Sequence, residues 1–121
     1  MKKRNSIIDI NVFTKKLVTT LDDAKAMDIQ VIDVTKVTNI TDRMIIASGR
    51  SNRQVKSLAE KLIASSKEQG VKPLGMEGEE GDWVLVDLGD VIAHLMHPTA
   101  RAYYQLEKLW SEEQPQTQSS T

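Results

Sequence analysis

The groups best placed to do chemistry in this chain are two acids and two imidazoles that lie close together, Asp87, Asp90, His94 and His97. An acid beside an imidazole is the usual start of general acid–base catalysis, and two convergent carboxylates hold the metal of nucleotidyl transfer. Neither arrangement is completed here. Asp87 and His94 fall on one face of a hairpin as diagonal neighbours, but no nucleophile stands beside them. Asp87 and Asp90 are three apart with Asp90 in a turn, so they point in different directions. His94 and His97 lie on an extended run that ends at Pro98 and face opposite sides, which disfavours a shared metal. They read as one surface imidazole and one residue near a strand end. The chain has no Cys, which removes disulfides, thiol chemistry and cysteine-ligated metals. No cofactor is implied.

A further candidate is the junction from Ala47 to Arg53, where a strand passes through Gly49-Arg50-Ser51 into a helix. Free amides at a helix N-terminus attract anions, and Arg50 and Arg53 add positive charge, so the junction resembles the phosphate grip of a nucleotidyltransferase. Ser51 and Gln54 also satisfy the S-x-x-Q capping box, which explains the junction without a ligand. A nucleotide-binding or nucleotidyl-transferring enzyme using Gly49 to Arg53 is the alternative to a binding module.

The elements that position these groups follow from periodicity. Trp83 to Leu88 and Val91 to Met96 are β-type runs around Gly89-Asp90, a pair suited to a two-residue hairpin turn. With those two residues as the loop, Leu88 faces Val91, Val86 faces Ala93 and Val84 faces Leu95, giving an apolar side that belongs to the core. The other side carries Trp83, Leu85 and Asp87 against Met96, His94 and Ile92. It reads either as a partner-binding face, where Trp and Met are enriched, or as a structural face half-covered by another element. The acidic, Gly-rich loop with Glu77, Glu79, Glu80 and Asp82 precedes it. That loop either steers a basic partner or is an ordinary solvated turn.

Upstream, Phe13, Leu17, Val18, Leu21 and Ala24 predict an amphipathic helix from near Ile10 to Met27. Gln30 to Val34 and Arg43 to Ser48 predict strands, and Val55, Leu58, Ala59, Leu62 and Ile63 predict a second helix stopped at Gly70. Pro73 to Met76 suits a brief strand. Thr99 is expected to cap a last helix from Ala100 to about Glu112, on which Tyr103 and Tyr104 either extend the candidate patch or pack at its core or rim. The order predicts an α/β (α+β) fold with a mixed sheet of about five strands, its parallel pair formed by the strands that flank the second helix. With 121 residues and 40% hydrophobic content, one domain over 1–112 is expected, followed by a disordered polar tail at 113–121. The formal net charge of −1 gives no global case for direct binding to DNA or RNA. No run is long enough to span a bilayer, and Asp9 interrupts the apolar start, so a cytoplasmic protein is expected.

Several segments in order resemble the ribosomal silencing factor family, also called Iojap-like proteins. They are Asp28 to Val34, Thr41 to Val55, Gly75 to Gly78, Asp82 to His94 and Arg101 to Trp110, and the likeness spans residues 10 to 110. The chain departs from the family pattern at Met96, often Phe, and Thr99, often Glu. The resemblance implies a nucleotidyltransferase-like fold lacking the catalytic carboxylates. It further implies binding to the large ribosomal subunit through its ribosomal protein number fourteen, which blocks small-subunit joining and represses translation when nutrients run short. A homodimer in the free state and a bacterial, cytoplasmic member are implied as well. On that view Glu77, Glu79, Glu80, Asp82, Trp83, Leu85, Asp87, Ile92, His94, Met96, Tyr103 and Tyr104 meet the partner. Arg50 and Arg53 are candidates for a peripheral contact with ribosomal RNA.

Overall fold

The computed structural model describes residues 9–78 and 82–100. Helix α1 (Ile10–Asp23) starts where the Asp9 carboxylate accepts from the amides of Asn11 (2.7 Å) and Val12 (3.4 Å), donors that no helical carbonyl can reach. Its buried stripe is Phe13, Leu17 and Leu21. The helix stops short of the expected Met27, because Lys25 turns to φ 70° and Met27 already opens strand β1 (Met27–Asp33). Strand β2 (Arg43–Ser48) follows and matches its expected limits.

Helix α2 (Asn52–Glu68) is capped by Ser51, whose Oγ accepts from the Gln54 amide at 3.1 Å. Gln54 does not complete the expected capping box; its Oε1 accepts from the Arg50 amide at 2.6 Å, one residue further back. Its Nε2 donates to the carbonyls of Ala24 (3.4 Å) and Lys25 (3.3 Å), tying the start of α2 to the end of α1. Strands β3 (Gly75–Glu77), β4 (Trp83–Asp87) and β5 (Val91–Met96) complete the sheet.

The five strands are ordered β1-β2-β5-β4-β3. All neighbours are antiparallel except β2 and β5. The parallel pair expected between β2 and β3, the strands flanking α2, is therefore corrected: β3 crosses to the far edge and β5 lies beside β2. A central strand is covered on both faces and needs a mostly apolar run, which Val91 to Met96 supplies, apart from His94, and three-residue β3 does not.

Both helices lie on one sheet face, where Phe13, Leu17, Leu21, Val55, Leu58 and Leu62 pack with Ile45, Ala47, Val84, Val86, Ala93 and Leu95. The opposite face holds a second, smaller cluster of Val34, Met44, Ile46, Met96 and Ala100, with Ile32 and Trp83 packed against it. Ala100 belongs to a helical turn at 98–100. His97, not the expected Thr99, caps that turn: its Nδ1 accepts from the Thr99 amide at 3.3 Å, and Pro98 occupies the first helical position, which its fixed φ suits. The last helix beyond Ala100, with Tyr103 and Tyr104, and also Glu79, Glu80, the expected boundary at 112/113 and the polar tail lie outside the described residues. Among the described residues no helix is long and apolar enough to cross a membrane.

Candidate functional site

The β4–β5 hairpin takes the register that alternation predicts, with Trp83 opposite Met96, Leu85 opposite His94 and Asp87 opposite Ile92. Three features hold its turn: the Leu88 amide donates to the Val91 carbonyl at 2.9 Å, Gly89 adopts φ 89°, and the Asp87 carboxylate accepts from the Gly89 amide at 2.9 Å. Positive φ is inexpensive only for Gly, so the residue pair dictates the bend. Asp87 is thereby engaged in shaping the turn, and the acid–imidazole pairing with His94 is not made.

The mixed side of the hairpin divides in two. Trp83, Leu85, Asp87 and Ile92 are half-buried, whereas His94 is 6% exposed and Met96 fully buried. This corrects two expected contact residues and the expected surface imidazole. Met96 packs with Val34, Met44 and Ile46, all distant in sequence, and with nearby Ala100, and offers no surface to a partner. His94 sits on central strand β5 between Ile46 of β2 and Leu85 of β4. Burial pushes its imidazole down to about 4, so it is neutral at physiological pH. The Trp83 indole Nε1–H donates to its Nδ1 at 3.0 Å, and the two rings lie 5.7 Å apart, tilted by 51°. An indole nitrogen can only donate, so Nδ1 carries the lone pair and Nε2 the proton.

The acidic residues join this face through the sheet. Glu77 is not in the loop, as expected, but is the last residue of β3, directly opposite Leu85 and exposed. Asp82 is exposed immediately before β4, and its carbonyl accepts from the His97 amide at 2.9 Å. Between them Gly78 adopts φ 82°, and a Cβ there would overlap the Trp83 carbonyl oxygen, so the backbone at Gly78 lies directly against that of Trp83. Alternation alone gives no pairing for a three-residue strand, which is why the neighbourhood of Glu77 and Leu85 was not visible before the fold.

At the other candidate, Arg50, Ser51 and Arg53 are exposed, but the Arg50 and Gln54 amides are already taken by the side chains of Gln54 and Ser51. Those two side-chain bonds account for the capping residues at this junction without a bound anion. The hairpin face combines half-buried Trp83, Leu85 and Ile92 with exposed Glu77 and Asp82.

A family model described as ribosomal silencing factor during starvation matches residues 8–121. A Chromobacterium violaceum protein named ribosomal silencing factor RsfS is 46% identical over 109 residues, which is 89% of this chain and 89% of that protein. One of the same name from Haemophilus influenzae is 48% identical over 96 residues, 78% of this chain and 94% of its own. A crystal structure of a Chromobacterium violaceum protein superimposes with a TM-score of 0.83 at 46% identity, covering 85% of this chain and 87% of that one. With sequence and fold matched over nearly its whole length, the chain belongs to the ribosomal silencing factor family.

Proposed function

We propose that this protein binds the large ribosomal subunit through ribosomal protein number fourteen and, by occupying that surface, keeps the small subunit from joining. Translation falls as a result when nutrients run short. The observation that carries this reading is the strip of half-buried Trp83, Leu85 and Ile92 bordered by exposed Glu77 and Asp82. Large apolar side chains at the centre and charges at the rim are the anatomy of a protein interface. Ribosomal proteins are generally basic, so the acidic rim would steer and orient one, while the apolar strip supplies affinity. Glu79, Glu80, Tyr103 and Tyr104 extend the patch in this reading, and exposed Arg50 and Arg53 are the candidates for a peripheral contact with ribosomal RNA. The fold acts as a nucleotidyltransferase-like frame put to binding: occupancy does the work, and neither catalysis nor a cofactor is required. A cytoplasmic location and a homodimer in the free state accompany the proposal.

Mixing purified subunits with and without the protein tests it, with fewer joined ribosomes expected when it is present. Trp83→Ala should weaken large-subunit binding by at least about 2 kcal/mol, roughly 30-fold, in a pelleting assay. Retained binding by a variant with native circular dichroism would overturn the face assignment. Turnover of nucleoside triphosphates with Mg²⁺ would favour an enzyme instead.

A further inference from the structure

We infer that His94 is a positioning residue for Trp83: its Nδ1 holds the indole in the orientation that a macromolecular partner meets, and His94 itself makes no contact with that partner. The inference rests on the proposed use of the hairpin face and adds how that face is kept in shape. Three observations carry it. His94 is 6% exposed and sits on the central strand, with Ile46 opposite it on one side and Leu85 on the other, so its ring is a fixed anchor. Trp83 is half-buried, at the first position of β4, where the chain has just left the acidic connection. The 3.0 Å bond from Nε1 to Nδ1 joins the accessible ring to the inaccessible one diagonally across the hairpin.

A buried imidazole on a central strand, between Ile46 and Leu85, is a costly choice for packing alone, since an apolar side chain would fill the same space without burying a polar ring. Here the ring's lone pair has a specific use, which is to accept from the indole. A large side chain already held in its bound rotamer loses less freedom on association than one that must be ordered.

Binding of the full-length protein to purified large subunits is the test. His94→Leu removes the acceptor and should weaken binding about tenfold. His94→Asn, whose Oδ1 stands near the place of Nδ1, should recover most of that loss. With Trp83→Phe in place there is no donor to hold, so adding His94→Leu should change binding by less than about twofold. The indole Nε1–H signal of Trp83 in a nuclear magnetic resonance spectrum, assigned by its disappearance in Trp83→Phe, should move in His94→Leu and stay near its native place in His94→Asn. If Trp83→Ala binds normally, the reading of the face is wrong and this inference goes with it. If Trp83→Ala is defective while His94→Leu binds like wild type, the face stands and the positioning role is refuted. An equal loss from His94→Leu in both the wild-type and Trp83→Phe backgrounds also refutes it, because His94 would then act through packing. Should His94→Leu fail to fold, the indole signal and affinity of His94→Asn decide: both near native support the role, and an unshifted affinity with a displaced indole signal overturns it.

Discussion

His94 stays neutral in the folded chain because burial lowers its imidazole from the ordinary 6.5 to about 4. In the unfolded chain it takes up a proton near pH 6.5. Between those values the unfolded state holds more protons, so stability falls as pH drops from about 6.5 to about 4, by at most about 3.5 kcal/mol. Asp33 acts in a different window. The Thr35 hydroxyl, then the Thr35 amide, hold its carboxyl below its ordinary 3.8, so its contribution is present above that value and lost only at more acid pH. Urea unfolding of wild type and His94→Asn at pH 7.5 and pH 5 should show the variant losing less stability on acidification; equal losses would place the proton elsewhere. That His94 and Met96 are interior could not be read from the hairpin, whose alternation assigns a side but not what lies over it. Val34, Met44 and Ile46, which help bury Met96, are remote in sequence, and nothing in Trp83 to Met96 points to them.

Within single elements the sequence was far more legible. Gly89-Asp90 and the flanking alternation specify the hairpin register residue by residue, because a slip of one would turn every core side chain outward. Ser51 was legible as a cap for the same local reason. The cap of the turn at 98–100 was not, since Thr99 is a good capping residue by type and only the preference of Pro98 for the first helical position moves the boundary back to His97. Gly78 is a position where local geometry tolerates no alternative. Gly78→Ala would strain a positive φ and drive Cβ against the Trp83 carbonyl, so it should cost about 2 kcal/mol and lower the melting temperature by about 5 °C or more. An unchanged melting curve would mean that Gly78 does not lie against the Trp83 carbonyl.

For the molecule as a whole the net charge of −1 hides an uneven distribution, with Glu77 and Asp82 exposed beside the apolar strip. Reversing both, Glu77→Lys with Asp82→Lys, should slow association with large subunits by about tenfold at low salt and flatten its dependence on ionic strength. Stopped-flow association rates across salt concentrations check this, and an unchanged rate would make the acids passive. Strand order was the least legible feature, since Arg43 to Ser48 is buried on both faces and its composition names no neighbour. That order has a consequence for biosynthesis. Strand β2 meets its inner neighbour only when β5 has been made, and the stretch from Ser48 to Met96 takes a few seconds at about 5–20 residues per second. During that interval a nascent chain carries an apolar strand with one unzipped edge, open to mispairing with any other extended segment. A chain cut short ahead of Val91 never closes that edge, so stalled or truncated products of this gene should aggregate where the finished protein does not.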